Sequence, residues 1–98
     1  MKLLPTETCL SGRWLLKAGR VVADDVCARI DALVRGHLRE LGRDASGWDA
    51  LFLDPSDGRF WELTYPDSSL QGGGPPRLQC LSATQAREKY GGFDPALG

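Results

Sequence analysis

One histidine and three cysteines hold most of the chemical potential of this 98-residue chain. His37 with Cys27 or Cys80 would make a base-and-nucleophile pair, because an imidazole beside a thiol yields an attacking thiolate. Cys27 precedes His37 on what reads as the same helix, so about 15 Å of helix axis would separate them, outside hydrogen-bond reach. Cys80 could approach His37 only through the fold. A lone histidine without an acid cluster falls short of the ligands a zinc site requires. The cysteines are odd in number and lack C-x-x-C spacing, so they read as reduced, mostly buried thiols. Asp54 and Asp57 provide too few oxygens for a calcium loop and suit a turn in which carboxylates accept local N–H groups. Asp49, Glu62 and Asp67 could pair as the acid and base of a hydrolase, but Glu62 reads as a residue on an open strand face. The GGGPP run, residues 72–76, could cradle a phosphate. Its two prolines lack N–H groups, however, and it leads into a strand instead of a helix. These residues assign no catalytic, cofactor-binding or metal-binding position, and the chain is not expected to be an enzyme.

Composition agrees with a single globular domain, 1–98, with an N-terminal arm (1–11) and a C-terminal tail (92–98). Hydrophobic residues make up 42% and charged residues 26%, and the net charge is −1. The dispersed Arg and Lys residues form no basic stripe, so direct binding to nucleic acid is not expected. No apolar run is long enough for a membrane span or the core of a secretory signal. The expected location is cytoplasmic. Glycine and proline concentrate after residue 42, which makes the second half turn-rich.

The elements that must position any site can be read in order. Gly12–Lys17 and Arg20–Val22 flank the Ala18-Gly19 turn as a β-hairpin. Val26, Ile30, Leu33, Val34, His37, Leu38 and Leu41 recur at three- and four-residue spacing, predicting one long helix over about 24–41. Asp24 or Asp25 would cap it, and Gly42 would end it. The internal Gly36 suggests a close neighbour at that point. Trp48–Leu53 and Arg59–Tyr65 read as strands joined by the turn at Asp54-Pro55-Ser56-Asp57-Gly58. Alternation in the second strand puts Trp61, Leu63 and Tyr65 on a core face, with Phe60, Glu62 and Thr64 exposed. Pro66 ends it. Residues 67–76 form a loop, and Arg77–Leu81 a last strand. Ser82 and Gln85 form a capping box that opens a short helix over about 83–90. The expected fold is α+β, with a small, mostly antiparallel sheet of about five strands and two helices.

The run DPSDGRFWELTYP from Asp54 to Pro66, continued by GGGPPRL through Leu78, resembles the immunity protein 27 family of bacterial polymorphic toxin systems. Gly12-Arg13-Trp14, Gly19-Arg20-Val21-Val22, Cys27, Ile30 and Ser46-Gly47-Trp48 are similar to it as well. The resemblance covers residues 6 to about 91. It implies a small bacterial cytosolic antidote, an immunity protein encoded beside a toxin, that binds the toxin and neutralises it by occlusion. A nuclease domain is one candidate for the cognate toxin.

Strand parity and loop position supply the candidate surface. Asp57, Glu62 and Asp67 would provide acidic contacts that steer the encounter with a basic toxin. Trp48, Tyr65, Gln71 and Arg77 would anchor it, with Gly72, Gly73 and Gly74 in the partner-facing loop. The alternative is a small protein-interaction or ligand-binding module that uses the Gly72–Pro76 loop.

Overall fold

The computed structural model describes residues 3–66 and 74–91. The described elements run in the order β1 (Cys9–Ser11), β2 (Trp14–Lys17), β3 (Arg20–Ala23), α1 (Asp25–Gly36), β4 (Arg39–Arg43), β5 (Ala50–Leu53), β6 (Phe60–Thr64), β7 (Arg77–Leu81) and α2 (Ala83–Tyr90). Five strands form an antiparallel sheet in the order β1-β7-β6-β5-β4, and β2 pairs with β3 as a separate two-stranded sheet. The fold is α+β, as the sequence pattern predicts.

The sheet grows from the β5–β6 hairpin. Asp54 folds its carboxylate back to accept the Ser56 N–H at 2.9 Å and the Ser56 hydroxyl at 2.6 Å, while Gly58 takes a φ of +76°. That turn pairs Leu53 with Phe60 and Ala50 with Leu63. Because side chains alternate across a strand, Ala50, Phe52, Trp61, Leu63, Leu78 and Cys80 share one face. Helix α1 covers that face with Ile30 and Leu33, and Leu3, Leu10 and Leu38 complete the core. Asp24 caps α1 by accepting the Cys27 N–H at 2.9 Å. Burying each of these aliphatic side chains stabilises the fold by about 1.5–3 kcal/mol.

Helix α1 ends at Gly36, five residues short of the predicted boundary, and Arg39–Arg43 forms an edge strand. The apolar spacing that reads as helix serves the core in another way. Leu38 turns inward and is buried, its N–H donating to the Leu33 carbonyl at 2.7 Å, and the chain then extends along β5. Pairing with β5 satisfies backbone groups that a longer helix would leave open at the sheet edge. Gly42 therefore sits at a register shift between Glu40 and Gly42 within β4, not at a helix terminus. A Cβ built on Gly36 meets nothing within 4 Å, so no close neighbour accounts for that glycine.

The N-terminal segment is not a loose arm. β1 pairs with β7, and Leu3 and Leu10 are buried. Glu7 holds Arg29 through two hydrogen bonds of 2.5 Å each. The Arg59 guanidinium donates to the carbonyls of Glu7 at 2.6 Å and Leu4 at 3.0 Å. Gly12 is the close approach of this region. Its N–H donates to the Pro76 carbonyl at 2.8 Å, and a Cβ there would stand 2.9 Å from that oxygen and 2.5 Å from Cys27 Sγ. The β2–β3 turn places Ala18 at φ +50° and Gly19 at +77°, both left-handed, as a tight two-residue hairpin loop demands.

Two predictions follow from this packing. Gly12→Ala forces backbone apart and lowers stability by about 1–3 kcal/mol, whereas Gly36→Ala fills open space on a helix and raises it by about 0.5–1 kcal/mol. Denaturant midpoints of the two variants should move in opposite directions. The Arg29 hydrogen bonds, aided by the Leu4 N–H, hold the Glu7 carboxyl at about 2, well below its ordinary 4.5. As pH falls below about 4.5 the unfolded chain takes up a proton that the folded chain refuses, so this contribution to stability shrinks and is gone near pH 2. Midpoints measured between pH 6 and 2 should fall less steeply for Glu7→Gln than for the parent chain.

Candidate functional site

Trp48 is the largest aromatic side chain left in water, 57% exposed, and its position is built rather than incidental. The preceding turn is tied by Asp44, whose Oδ1 accepts the Ser46 hydroxyl at 2.6 Å and the N–H groups of Gly47 at 3.1 Å and Asp49 at 3.3 Å. Gly47 supplies the required φ of +78°. The Trp48 N–H then donates to the Ser46 hydroxyl at 3.1 Å. Opposite it, Tyr65 follows the end of β6, and the two rings meet edge to face at 5.9 Å and 77°. Such a pair holds both rings in place.

Below this aromatic pair lies a groove of about 250 Å³ between α1 and the sheet. Ile30, Val34, Phe52 and Leu63 line its apolar part. Its rim carries two ion pairs already formed, Arg35–Asp31 and Arg43–Glu40, both at 2.9 Å. The arrangement suits an apolar or aromatic side chain of a partner, with polar groups at the margin to orient it.

The structure separates the predicted surface residues. Arg77 pairs with Thr64, which brings β7 and the half-buried Arg77 to the Tyr65 end of the sheet. Gly74 is buried there with a φ of +75°. Asp57 lies at the far end of the β5–β6 hairpin, bonded to Arg59 Nε at 2.6 Å. The five residues of β6 lie between them, and at about 3.3 Å per residue they put it more than 10 Å from Tyr65. Asp67, Gln71, Gly72 and Gly73 lie outside the described residues.

Glu62 corrects the parity reading. It is 7% exposed, and Thr64 beside it is 8% exposed, so the second face of β6 is not open. The C-terminal helix accounts for this. The Tyr90 hydroxyl donates to Glu62 at 2.7 Å, and Lys89 Nζ lies 2.6 Å from Glu62 and 2.8 Å from Asp49. Burial, reinforced by the Glu62 carboxylate, pushes the Tyr90 phenol above its ordinary range, so the neutral hydroxyl remains the donor. Burial works against the Lys89 charge, but the hydrogen bonds it donates to Asp49 and Glu62 outweigh burial and raise its value. Asp49 and Glu62 thus anchor α2.

His37 likewise has a structural partner. Its Nε2 lies 3.0 Å from Asp54 Oδ1, and Asp54 is wholly buried. Burial pushes the Asp54 carboxyl up, yet the Ser56 hydroxyl and N–H together with His37 outweigh it and hold it below the usual range. The Ser56 hydroxyl bonds to the aspartate rather than to the imidazole, which is not the order a histidine-activated nucleophile needs. Cys27 is buried against the Arg13 carbonyl, and burial, followed by the nearby Asp24, pushes its thiol up, away from the reactive thiolate.

Sequence reasoning missed Asp31, Arg35, Glu40 and Arg43 as rim residues because it continued the helix to about residue 41, which hides the β4 edge that brings Glu40 and Arg43 to the groove. The signal available was Gly36, a poor helix residue three positions before Arg39. Compared with known proteins, the chain matches the family model described as Immunity protein 27 over residues 16–82, more than half of its length. No curated protein and no solved structure matches it.

Glu62→Ala leaves Lys89 and Tyr90 without their shared acceptor and should lower stability by about 1–3 kcal/mol. Trp48→Ala removes an exposed ring and should cost less than about 1 kcal/mol. Thermal unfolding of both variants separates the side chain that builds the scaffold from the one it displays.

Proposed function

The chain belongs to the immunity protein 27 family, and from that premise we propose that it binds its cognate toxin domain through the face carrying Trp48 and Tyr65 and silences the toxin by covering it, without catalysis. An immunity protein implies a toxin to be immune from, and the cheapest inhibition is to occupy the surface the toxin needs. The observation that carries this reading is a large exposed aromatic ring, held by a tied turn and a second ring, over an apolar groove with a charged rim. Exposed aromatic anchors beside such grooves concentrate binding energy at protein interfaces.

On this reading Trp48 and Tyr65 are the central contacts, with Gly74 and Arg77 at the same end of the sheet, and Asp67, Gln71, Gly72 and Gly73 are proposed as further contacts from the sequence alone. Asp57 would meet the partner only at the rim, and Glu62 acts from beneath by seating α2. Pre-formed ion pairs and a turn-locked tryptophan reduce the ordering that binding would otherwise require. The setting proposed is the bacterial cytoplasm, with the toxin encoded by the adjacent gene.

Co-expression with that neighbouring toxin domain tests the proposal. The parent chain should restore growth and co-purify as a 1:1 complex. Trp48→Ala with Tyr65→Ala should weaken the complex by about 2 kcal/mol or more, some thirtyfold in Kd, and abolish rescue. An unchanged complex with the double variant would move the interface elsewhere.

A further inference from the structure

The β2–β3 hairpin stands apart from the main sheet, and its two strands pair only with each other. It exposes aliphatic side chains that a free hairpin has no reason to carry. Leu16 is 75% exposed, Val21 65% and Leu15 40%. Leu16 and Val21 are register partners, so they lie side by side on one face of the hairpin. Its charge is equally one-sided. Residues 8–23 contain Arg13, Lys17 and Arg20 and no carboxylate. All three cations are exposed, and none has an ion-pair partner among the described residues. Elsewhere Arg29, Arg35, Arg43, Arg59 and Lys89 each meet a carboxylate.

We infer that this hairpin is a second contact element, which lays its Leu16–Val21 face on an apolar patch of the toxin domain ringed by carboxylates; the inference rests on the toxin-binding reading. Charge selects the partner's chemistry. A second copy of the chain would bring the same three cations, and a symmetric pairing would set like charges together. Lys17 and Arg20 are register partners beside the Ala18-Gly19 turn, so the leading edge of the hairpin is charged and its aliphatic pair lies on the flank. That arrangement suits sideways docking on a protein surface better than tip-first entry into lipid. It also leaves a cation-rich hairpin on a chain whose net charge is −1.

The test measures binding kinetics between the purified chain and the toxin domain encoded beside it, at several NaCl concentrations. Lys17→Glu with Arg20→Glu should slow association about tenfold or more at low salt and flatten its salt dependence. Leu16→Ser with Val21→Ser should speed dissociation about tenfold or more. All four positions are exposed, so circular dichroism and Tm should match the parent chain. If the parent binds and both double variants bind like it, the hairpin inference fails while the toxin-binding reading stands. If the parent does not bind, that reading fails and takes this inference with it. A concentration-dependent dimer of the free chain that Leu16→Ser/Val21→Ser abolishes assigns the face to a second copy. Sedimentation with phosphatidylserine vesicles that Lys17→Glu/Arg20→Glu abolishes assigns it to lipid. Either result overturns the proposal.

Discussion

The burial of Trp61 in the central strand is the constraint on which the other positions depend. Its ring is fully buried, with Phe52 and Cys80 as register partners on either side and α1 above that face. Once this ring points inward, alternation sends Glu62 to the opposite face, where α2 closes over it through Lys89 and Tyr90. Arg59 stacks over the same tryptophan at 4.9 Å and carries the N-terminal segment on its guanidinium. A one-residue slip of β6 would turn Trp61 out of this core and put Phe60 or the charged Glu62 in its place, so register is strongly specified. The two helical layers, the N-terminal strand and the end of the sheet that displays Tyr65 all inherit that register.

A scaffold of this kind suits a protein that works by being a surface. Titratable groups with displaced values have structural partners: Glu7 with Arg29, Asp54 with Ser56 and His37, Lys89 with Asp49 and Glu62. Displaced values gathered in a cleft would point towards catalysis, but these are spread over separate junctions of the fold and serve to join elements. What the fold leaves to the solvent is of another kind: a locked tryptophan over a groove, and a hairpin of aliphatic and cationic side chains. Both are features whose exposure stabilises nothing in the free chain, and both make physical sense when a partner covers them.

Much of the architecture is legible in the sequence where local chemistry decides it. The Asp54–Gly58 turn, the S-x-x-Q box opening α2, the Ala18-Gly19 hairpin and the β7 alternation each form where their residues direct. The reading fails where tertiary contacts override a local pattern. Leu38 and Leu41 continue the helical spacing of α1, yet the chain extends after Leu38 because the open edge of β5 needs a partner. Glu62 looks like a solvent-facing strand residue because nothing local announces that the last helix folds back over it. The site is legible to a similar extent. Trp48 and Tyr65 are named by residue type and stand edge to face in space, whereas the Arg43–Glu40 pair of the rim depends on β4, which the helical spacing hides.

The central claim is that protection comes from covering a toxin and leaving its covalent structure alone. It is tested most directly by titrating the toxin's activity with the chain, then releasing the toxin from the complex with denaturant, refolding it and recording its intact mass and activity. Inhibition that saturates at one chain per toxin, followed by recovery of toxin of unchanged mass and full activity, is the predicted result. Substoichiometric inhibition, or recovered toxin with an altered mass, would contradict it.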